Sequence, residues 1–272
     1  QPALRQATGN PKLYGLGLPV STGNVDTDDQ VWMFLYAHDA EYLTPEGKLL
    51  LDRPKVRQGI VAALDEYAAF YKKGCTPPEA AQWKAVDNNL YFHNQAIVAT
   101  INTSLSIPLA HLGKNPDNYY AKIATIPMPN KLSGEPMPLV GAGFNHVAVF
   151  KRGKNVEGAK DFLRWLLGEG RLAAYVEAST GRFMPAMPEL TQTPFWRDSK
   201  DPHRPAVLAI VESNLPPQLQ HERVDWRLAE ERVSWLWPKA VSRIALDGWT
   251  AEQAADEAIA RIRTETGREA IS

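Results

Sequence analysis

The side chains that could do chemistry in this sequence are hydrogen-bonding groups and aromatic rings rather than nucleophiles. Asp26, Thr27, Asp28 and Asp29 place three carboxylates within four residues, with Trp32 just after them. Asn102, Thr103 and Ser104 put three short polar side chains after an apolar run, and Gly143 and Phe144 lie in a glycine-rich turn. Arg182 follows a Ser-Thr-Gly turn, and Trp235 sits in a late aromatic segment. Aromatic platforms that stack on the apolar face of a ring, together with short polar groups that reach hydroxyls, are the make-up of a saccharide-type site. The candidate ligand contacts are therefore Asp26, Asp29, Trp32, Asn102, Thr103, Ser104, Gly143, Phe144, Arg182 and Trp235.

Each has a duller account. Acids in a first helical turn favour the positive end of the macrodipole. Trp32, Trp165 and Trp235 lie at helical spacing among apolar neighbours, which is core spacing too. Arg182 could serve only in an ion pair, and Asn102 only as a helix cap. Covalent chemistry has less support: no Gly-x-Ser-x-Gly elbow, Walker loop, His-Glu-x-x-His or Cys-x-x-Cys is present. His221-Glu222-Arg223 lacks a second His. A calcium loop opening at Asp26 would need Gly and Glu where Val31 and Ala37 stand. No cofactor or metal is expected. A carbohydrate-active enzyme with paired carboxylates stays as the alternative, because that pairing is spatial and leaves no sequence spacing.

The elements that would position these groups follow from pattern. Leu13 to Val20 reads as a strand, and a helix runs from about Asp28 to Ala40. Leu49 to Leu51 is hairpin-like, and Asp52 caps a helix from Pro54 to about Lys73, where Val56, Ile60, Ala63, Leu64, Tyr67 and Tyr71 recur at helical spacing. Gly74 reads as a C′ residue, and Thr76 with Glu79 as a capping box. A short helix from Asp87 leads to the strand Ala96–Ile101, whose polar loop feeds a helix from Leu105 to Leu112. A strand that stops at a small polar loop and enters a helix puts hydrogen-bonding groups at the carboxyl edge of a sheet, where open α/β sheets bind ligands. Tyr119–Ile126 and His146–Phe150 read as strands. Asn155 caps a helix from Val156 to Leu167, and Glu169–Ala178 is the next. Pro205–Ser213, Trp226–Leu246 and a helix opened by the box Thr250–Gln253 complete the chain.

At 272 residues with 44% hydrophobic and 22% charged content, the chain can bury one large core or two smaller ones. A formal net charge of −1 supplies no long-range field to recruit nucleic acid. The longest apolar run, Val31 to Ala37, is far short of the ~20 residues of a membrane span. The first residues lack the layout of a leader peptide, so the expectation is a cytoplasmic protein or a processed or truncated chain. Cys75, the single cysteine, excludes an internal disulfide and reads as a structural thiol, with no base near it in sequence.

Several stretches in order resemble the family 1 extracellular solute-binding proteins of ABC importers, the maltose- and glycerol-phosphate-binding types. They are Thr44-Pro45-Glu46-Gly47-Lys48 with Leu51-Asp52-x-Pro54-x-Val56 and its long helix, and Phe92 ahead of Thr100-Ile101-Asn102-Thr103-Ser104. The Lys154-Asn155-x-Glu157-x-Ala159 helix, the Gly181-x-x-x-Pro185 return and Thr250-x-Glu252-x-Ala254 after an aromatic helix follow. The resemblance implies an α/β fold of the type II periplasmic-binding-protein kind. One nearly complete lobe would comprise 12–140 and 187–272, and a strand and two helices of the other lobe 141–186. It implies a periplasmic protein that closes by a hinge motion around a small oxygen-rich solute, a sugar or polyol first, and hands it to the membrane subunits of the importer. By resemblance Trp235 falls where a ligand-stacking aromatic often sits and Asp29 at a frequent loop contact. Leu105 stands where the maltose type has Trp, which weakens maltodextrin as the ligand. The family also has a longer amino-terminal lobe, so the apolar faces in 141–186 are expected to be covered by another chain or a swapped copy.

Overall fold

The computed structural model describes residues 2–138, 147–185, 187–212 and 235–266. They fall into two compact units: 2–102 with 128–138 and 235–266, and 103–127 with 147–185 and 187–212. The expected lobes grouped 103–127 and 187–215 with the first unit. The apolar packing that joins Leu105 to Val176, Trp196, Val207 and Leu208 places them in the second unit instead.

The first unit opens on α1 (Pro2–Thr8) and β1 (Tyr14–Gly17). β1 pairs in parallel with β2 (Ile97–Thr100), with Leu16 opposite Ala99 and Gly17 opposite Thr100. α4 (Asp87–His93) packs on both strands, while α2 (Val25–Ala37), α3 (Pro54–Lys72), α9 (Leu236–Leu246) and α10 (Ala251–Thr266) pack on one another. Of the α3 residues expected inward, Val56, Ile60, Ala63, Leu64 and Tyr67 are buried, in one core with Val241 and Ile244 of α9 and Ile259 and Ile262 of α10, and Tyr71 is partly buried. Burial of each large aliphatic side chain contributes about 1.5–3 kcal/mol. Close helix approach explains Gly59, where a Cβ would meet the His38 carbonyl at 2.6 Å.

Several local signals hold and others give way to distant partners. The Thr250 amide donates to Gln253 Oε1 at 2.9 Å and the Gln253 amide to Thr250 Oγ1 at 3.2 Å, the reciprocal box expected. Asn155 accepts from the Gly158 amide at 3.0 Å, and Gly74 is left-handed at φ 67. However, α2 begins three residues early, because Asn24 accepts from the Asp26 amide and is the true cap. Asp52 pairs with Arg263 instead of capping α3. The Thr76 hydroxyl donates to the Leu16 carbonyl at 3.0 Å, so a 3₁₀ turn at Pro78–Gln82 starts without its box. The hairpin-like segment is a single antiparallel bridge, Leu43–Leu49.

In the second unit α5 (Ser106–Leu112), α6 (Val156–Leu167), α7 (Arg171–Glu177) and α8 (Arg204–Glu212) carry the order. The strand expected at Tyr119–Ile126 is absent: Asn118–Lys122 winds as a π-helical turn and no pairing follows. The cause is a buried network. The Tyr119 hydroxyl donates to Asp201 at 2.7 Å, and His203 Nε2 donates to the Tyr119 carbonyl at 2.8 Å. Thr125 lies 2.7 Å from His203 Nδ1, and Asp201 also holds Arg204. Positive φ at Glu169 and Gly170 delays α7 to Arg171. No strand forms over 147–150, and His146 lies outside the described residues, as does 226–234 of the helix expected before Leu246. No residue of α6 is buried, and Phe162 and Trp165, stacked at 6.0 Å, are both more than half exposed.

Among the described residues no helix is long and apolar enough to cross a membrane, and no three His, Cys, Asp or Glu side chains group to hold a metal. Cys75 is half-buried and its thiol forms no disulfide.

Candidate functional site

Parallel pairing of β1 and β2 sends both strands out at one edge of the first unit. Thr100 at that edge donates from its hydroxyl to the Gly17 carbonyl at 2.8 Å. A Cβ on Gly17 would meet Ile97 Cδ1 at 2.4 Å, so a larger residue here would displace the Ile97 side chain. Beyond β1 the chain turns through Ser21 to Asn24. The Ser21 hydroxyl and the Asn24 amide both donate to the Trp83 carbonyl, at 2.6 and 3.0 Å. This turn sets the start of α2, and so the direction of Asp26.

The carbonyl of Ile101, just past β2, is the hub of this edge. It accepts from Gln30 Nε2 at 3.4 Å and from Asn88 Nδ2 at 3.3 Å. The buried Tyr67 hydroxyl donates to the Pro19 carbonyl at 2.8 Å and lies 3.2 Å from Gln30 Oε1. Asn102 Nδ2 donates to Asn89 Oδ1 at 2.8 Å, so two amide side chains stand side by side at the strand's exit. The edge is thus tied to α2, α3 and α4 at once.

Asp26 is the outlying charge of this surface. Its carboxyl is half-buried, and that burial first, the neighbouring charge of Asp29 second, push its pKa up to about 6. Among the described residues no hydrogen bond or cation offsets either cause. The same carboxylate, after burial, raises the Tyr67 phenol well above its usual range. Trp235 precedes α9 in a left-handed conformation, φ 56, and its indole Nε1 would lie 3.9 Å from a Cβ on Gly23. The half-exposed ring therefore stands beside the turn that leads to Asp26. A carboxylate acceptor, paired amides and a ring edge can hold hydroxyl groups without making or breaking a bond.

The structure brings Asp26, Asp29, Asn102 and Trp235 to the first unit's sheet edge or its neighbouring turn. Trp32 is not there: its ring is 7% exposed, stacked on Tyr42 at 5.6 Å and edge-on to Trp237 at 5.9 Å, within the core. Thr103 and Ser104 follow Asn102 in the second unit, where Ser104 Oγ accepts from the Ser106 amide. Arg182 is exposed in the turn after α7 in that unit. Gly143 and Phe144 lie outside the described residues. Sequence reasoning missed Gln30 and Tyr67 and took Asn88 and Asn89 only for a helix start. The available signal was Thr27 to Gln30, four polar residues running into an apolar helix, and all four are buried.

A family model described as bacterial extracellular solute-binding protein matches residues 23–206. No curated protein sequence matches the chain. Among solved structures it is similar to an ABC transporter solute-binding protein from Thermotoga lettingae TMO bound with alpha-D-tagatose, at 21% identity and a TM-score of 0.69, covering 96% of this chain and 61% of that one. It is similar to a sugar transporter from Arthrobacter chlorophenolicus A6 with bound laminaribiose, at 14% identity and TM-score 0.69, covering 95% and 61%. A third is the sugar-binding protein MalE from Xanthomonas citri, at 17% identity and TM-score 0.68, covering 96% and 60%. The chain thus spans about three fifths of each. At these identities the likeness establishes the fold: the α/β architecture of type II periplasmic binding proteins.

Proposed function

Because the chain belongs to the bacterial extracellular solute-binding proteins, a family of binding proteins and not of enzymes, we propose that its sheet edge is one wall of a solute site. The solute is small and oxygen-rich, a sugar or polyol first. The observation that carries this is Asp26: a half-buried carboxylate with its pKa raised to about 6 and no donor among the described residues to offset it. A ligand hydroxyl would supply that donor. Asp29 adds a second acid beside it, and no cation among the described residues acts on Asp26, which disfavours a phosphate or carboxylate at this wall. Asn89 and Asn102 offer amides, and Trp235 an aromatic surface.

In the whole protein, ligand contacts favour a closed state reached by a hinge motion between its lobes. Thr103, Ser104, Gly143, Phe144 and Arg182 are proposed as further contacts from their residue types and loop positions in the sequence. The site serves import: the loaded protein outside the cytoplasmic membrane, in the periplasm, delivers its solute to the membrane subunits of an ABC transporter. Further polypeptide, from the same longer chain or a second one, covers the apolar face of Phe162 and Trp165. The structural relatives carry tagatose, laminaribiose and, in a protein from Agrobacterium radiobacter K84, ribitol, and these are the first ligands to try.

The test is a melting-temperature screen of the full-length protein against these sugars and polyols and against glycerol phosphate, since a ligand of the native state raises the melting point. A rise with a neutral sugar or polyol that Asp26→Asn and Trp235→Ala each diminish supports the proposal. A rise with glycerol phosphate alone refutes the neutral-solute reading, and turnover of a glycoside would instead favour the paired-carboxylate enzyme.

A further inference from the structure

We propose that the outer face of the first unit carries a separate saccharide site, in the groove between α3 and the turn from α9 to α10, with Trp249 as its stacking platform. The groove encloses about 560 Å³, within the range of small-molecule sites. It does not rest on the sheet-edge reading, for it uses the opposite face of α3: Tyr67 turns inward to the network, while Gln58 and Asp65 are exposed on the outer side.

The platform is built in advance. The Arg243 guanidinium covers one face of the Trp249 ring at 4.1 Å, and Glu257 pins that guanidinium at 2.9 Å. The Trp249 amide donates to the Arg243 carbonyl at 3.2 Å. Gly248, at φ 74, and the Thr250–Gln253 box then hold the turn between the two helices. Across the groove Arg57 is fixed by two 2.9 Å bonds to Asp256. A half-buried indole backed by a cation, in a turn with both flanks capped, costs little ordering when a ring stacks on it.

The chemistry around the ring selects the ligand class. Val61, Ala62 and Ile244 make a small apolar floor. Gln58 and Lys72 bring donors, Asp65 and Glu252 acceptors, and no ion pair or hydrogen bond within the described residues occupies any of the four. An anion site would show one sign of charge, and a peptide groove would be mostly apolar. Donors and acceptors of both kinds around one aromatic face suit a ligand whose hydroxyls both donate and accept, namely a one- or two-ring sugar.

The protein labelled with fluorotryptophan, which has eight tryptophans, would be titrated with maltose and with laminaribiose, and Trp249→Phe would assign the Trp249 fluorine signal. The expected result is a saturable shift of that signal at millimolar sugar. It should weaken about tenfold in a Gln58→Ala/Asp65→Ala variant, whose replaced side chains are exposed and unpaired and so leave the fold intact. A Trp249 signal that stays still, or one that shifts equally in the variant, overturns the proposal. The Trp235 signal reports the sheet edge independently, so failure of one site is read apart from failure of the other.

Discussion

Replacing Asp26 by Asn should make this protein more stable and a worse binder. The folded structure holds the Asp26 carboxyl at about 6 against an ordinary 3.8. In a fully enclosed site, ionising such a group would cost the fold about 3 kcal/mol. Asp26 is only half-buried, and water screening reduces this to about 1 kcal/mol. Because the folded carboxyl holds its proton more tightly than the unfolded one, stability falls as pH rises from about 4 to about 6 and then levels off. Asn removes the charge and with it the slope. Urea denaturation of both proteins at about pH 4 and about pH 7.5 measures the difference: the variant gains about 1 kcal/mol at the higher pH and little at the lower. Titration calorimetry with whichever sugar or polyol raises the melting point then shows a loss of tenfold or more, the size of a lost hydrogen bond to a charged group. A variant less stable than the parent at pH 7.5, or gaining equally at both pH values, would refute the reasoning. Such a gain at the expense of binding is the signature of a group kept for function.

Gly59→Ala should lose about 1–3 kcal/mol in the same denaturation assay, because the added methyl meets the His38 carbonyl at 2.6 Å and outweighs the better helix propensity. Burial lowers the pKa of His203 from its ordinary 6.5, faced by Tyr119, Thr125, Asp201 and Arg204. The neutral ring is thus favoured in the fold, and the stability it provides is present above pH 6.5 and lost as pH falls through its folded pKa. His203→Gln should therefore flatten the acid limb of the stability curve, read as a difference from the parent so that the opposite slope of Asp26 cancels. In the 272-residue chain taken alone, exchanging Phe162 and Trp165 for Glu should leave the melting point within about 1 °C, since no residue of α6 is buried. Light scattering should show less self-association of the chain; a drop of several degrees would mean that the face is already packed.

Much of the architecture could be read in the sequence where the controlling interaction is local. The cap at Asn155, the left-handed Gly74, the box at Thr250 and the inward face of α3 each depend on residues within one or two turns. Tyr119–Ile126 has strand composition, yet its conformation answers to Asp201 and His203, some eighty residues away. Thr76 and Asp52 look like caps, but each finds a partner remote in sequence, Leu16 and Arg263. Trp32 and Trp235 show why the site was only half legible. Both lie at helical spacing, and only the fold reveals that one ring is locked between Tyr42 and Trp237 while the other stands beside Gly23. Gln30, Asn88 and Asn89 act through the Ile101 carbonyl and through Asn102, a convergence with no fixed spacing.

The Ile101 carbonyl divides labour at the sheet edge. Its donors, Gln30 and Asn88, hold the backbone in place, while Asp26 and Trp235 project from that frame without supporting it. If this edge is the proposed solute wall, a lineage could exchange the projecting side chains to suit a new solute and leave the frame untouched. The same scaffold would then accept changes of diet one residue at a time, with most of its folding free energy never at stake.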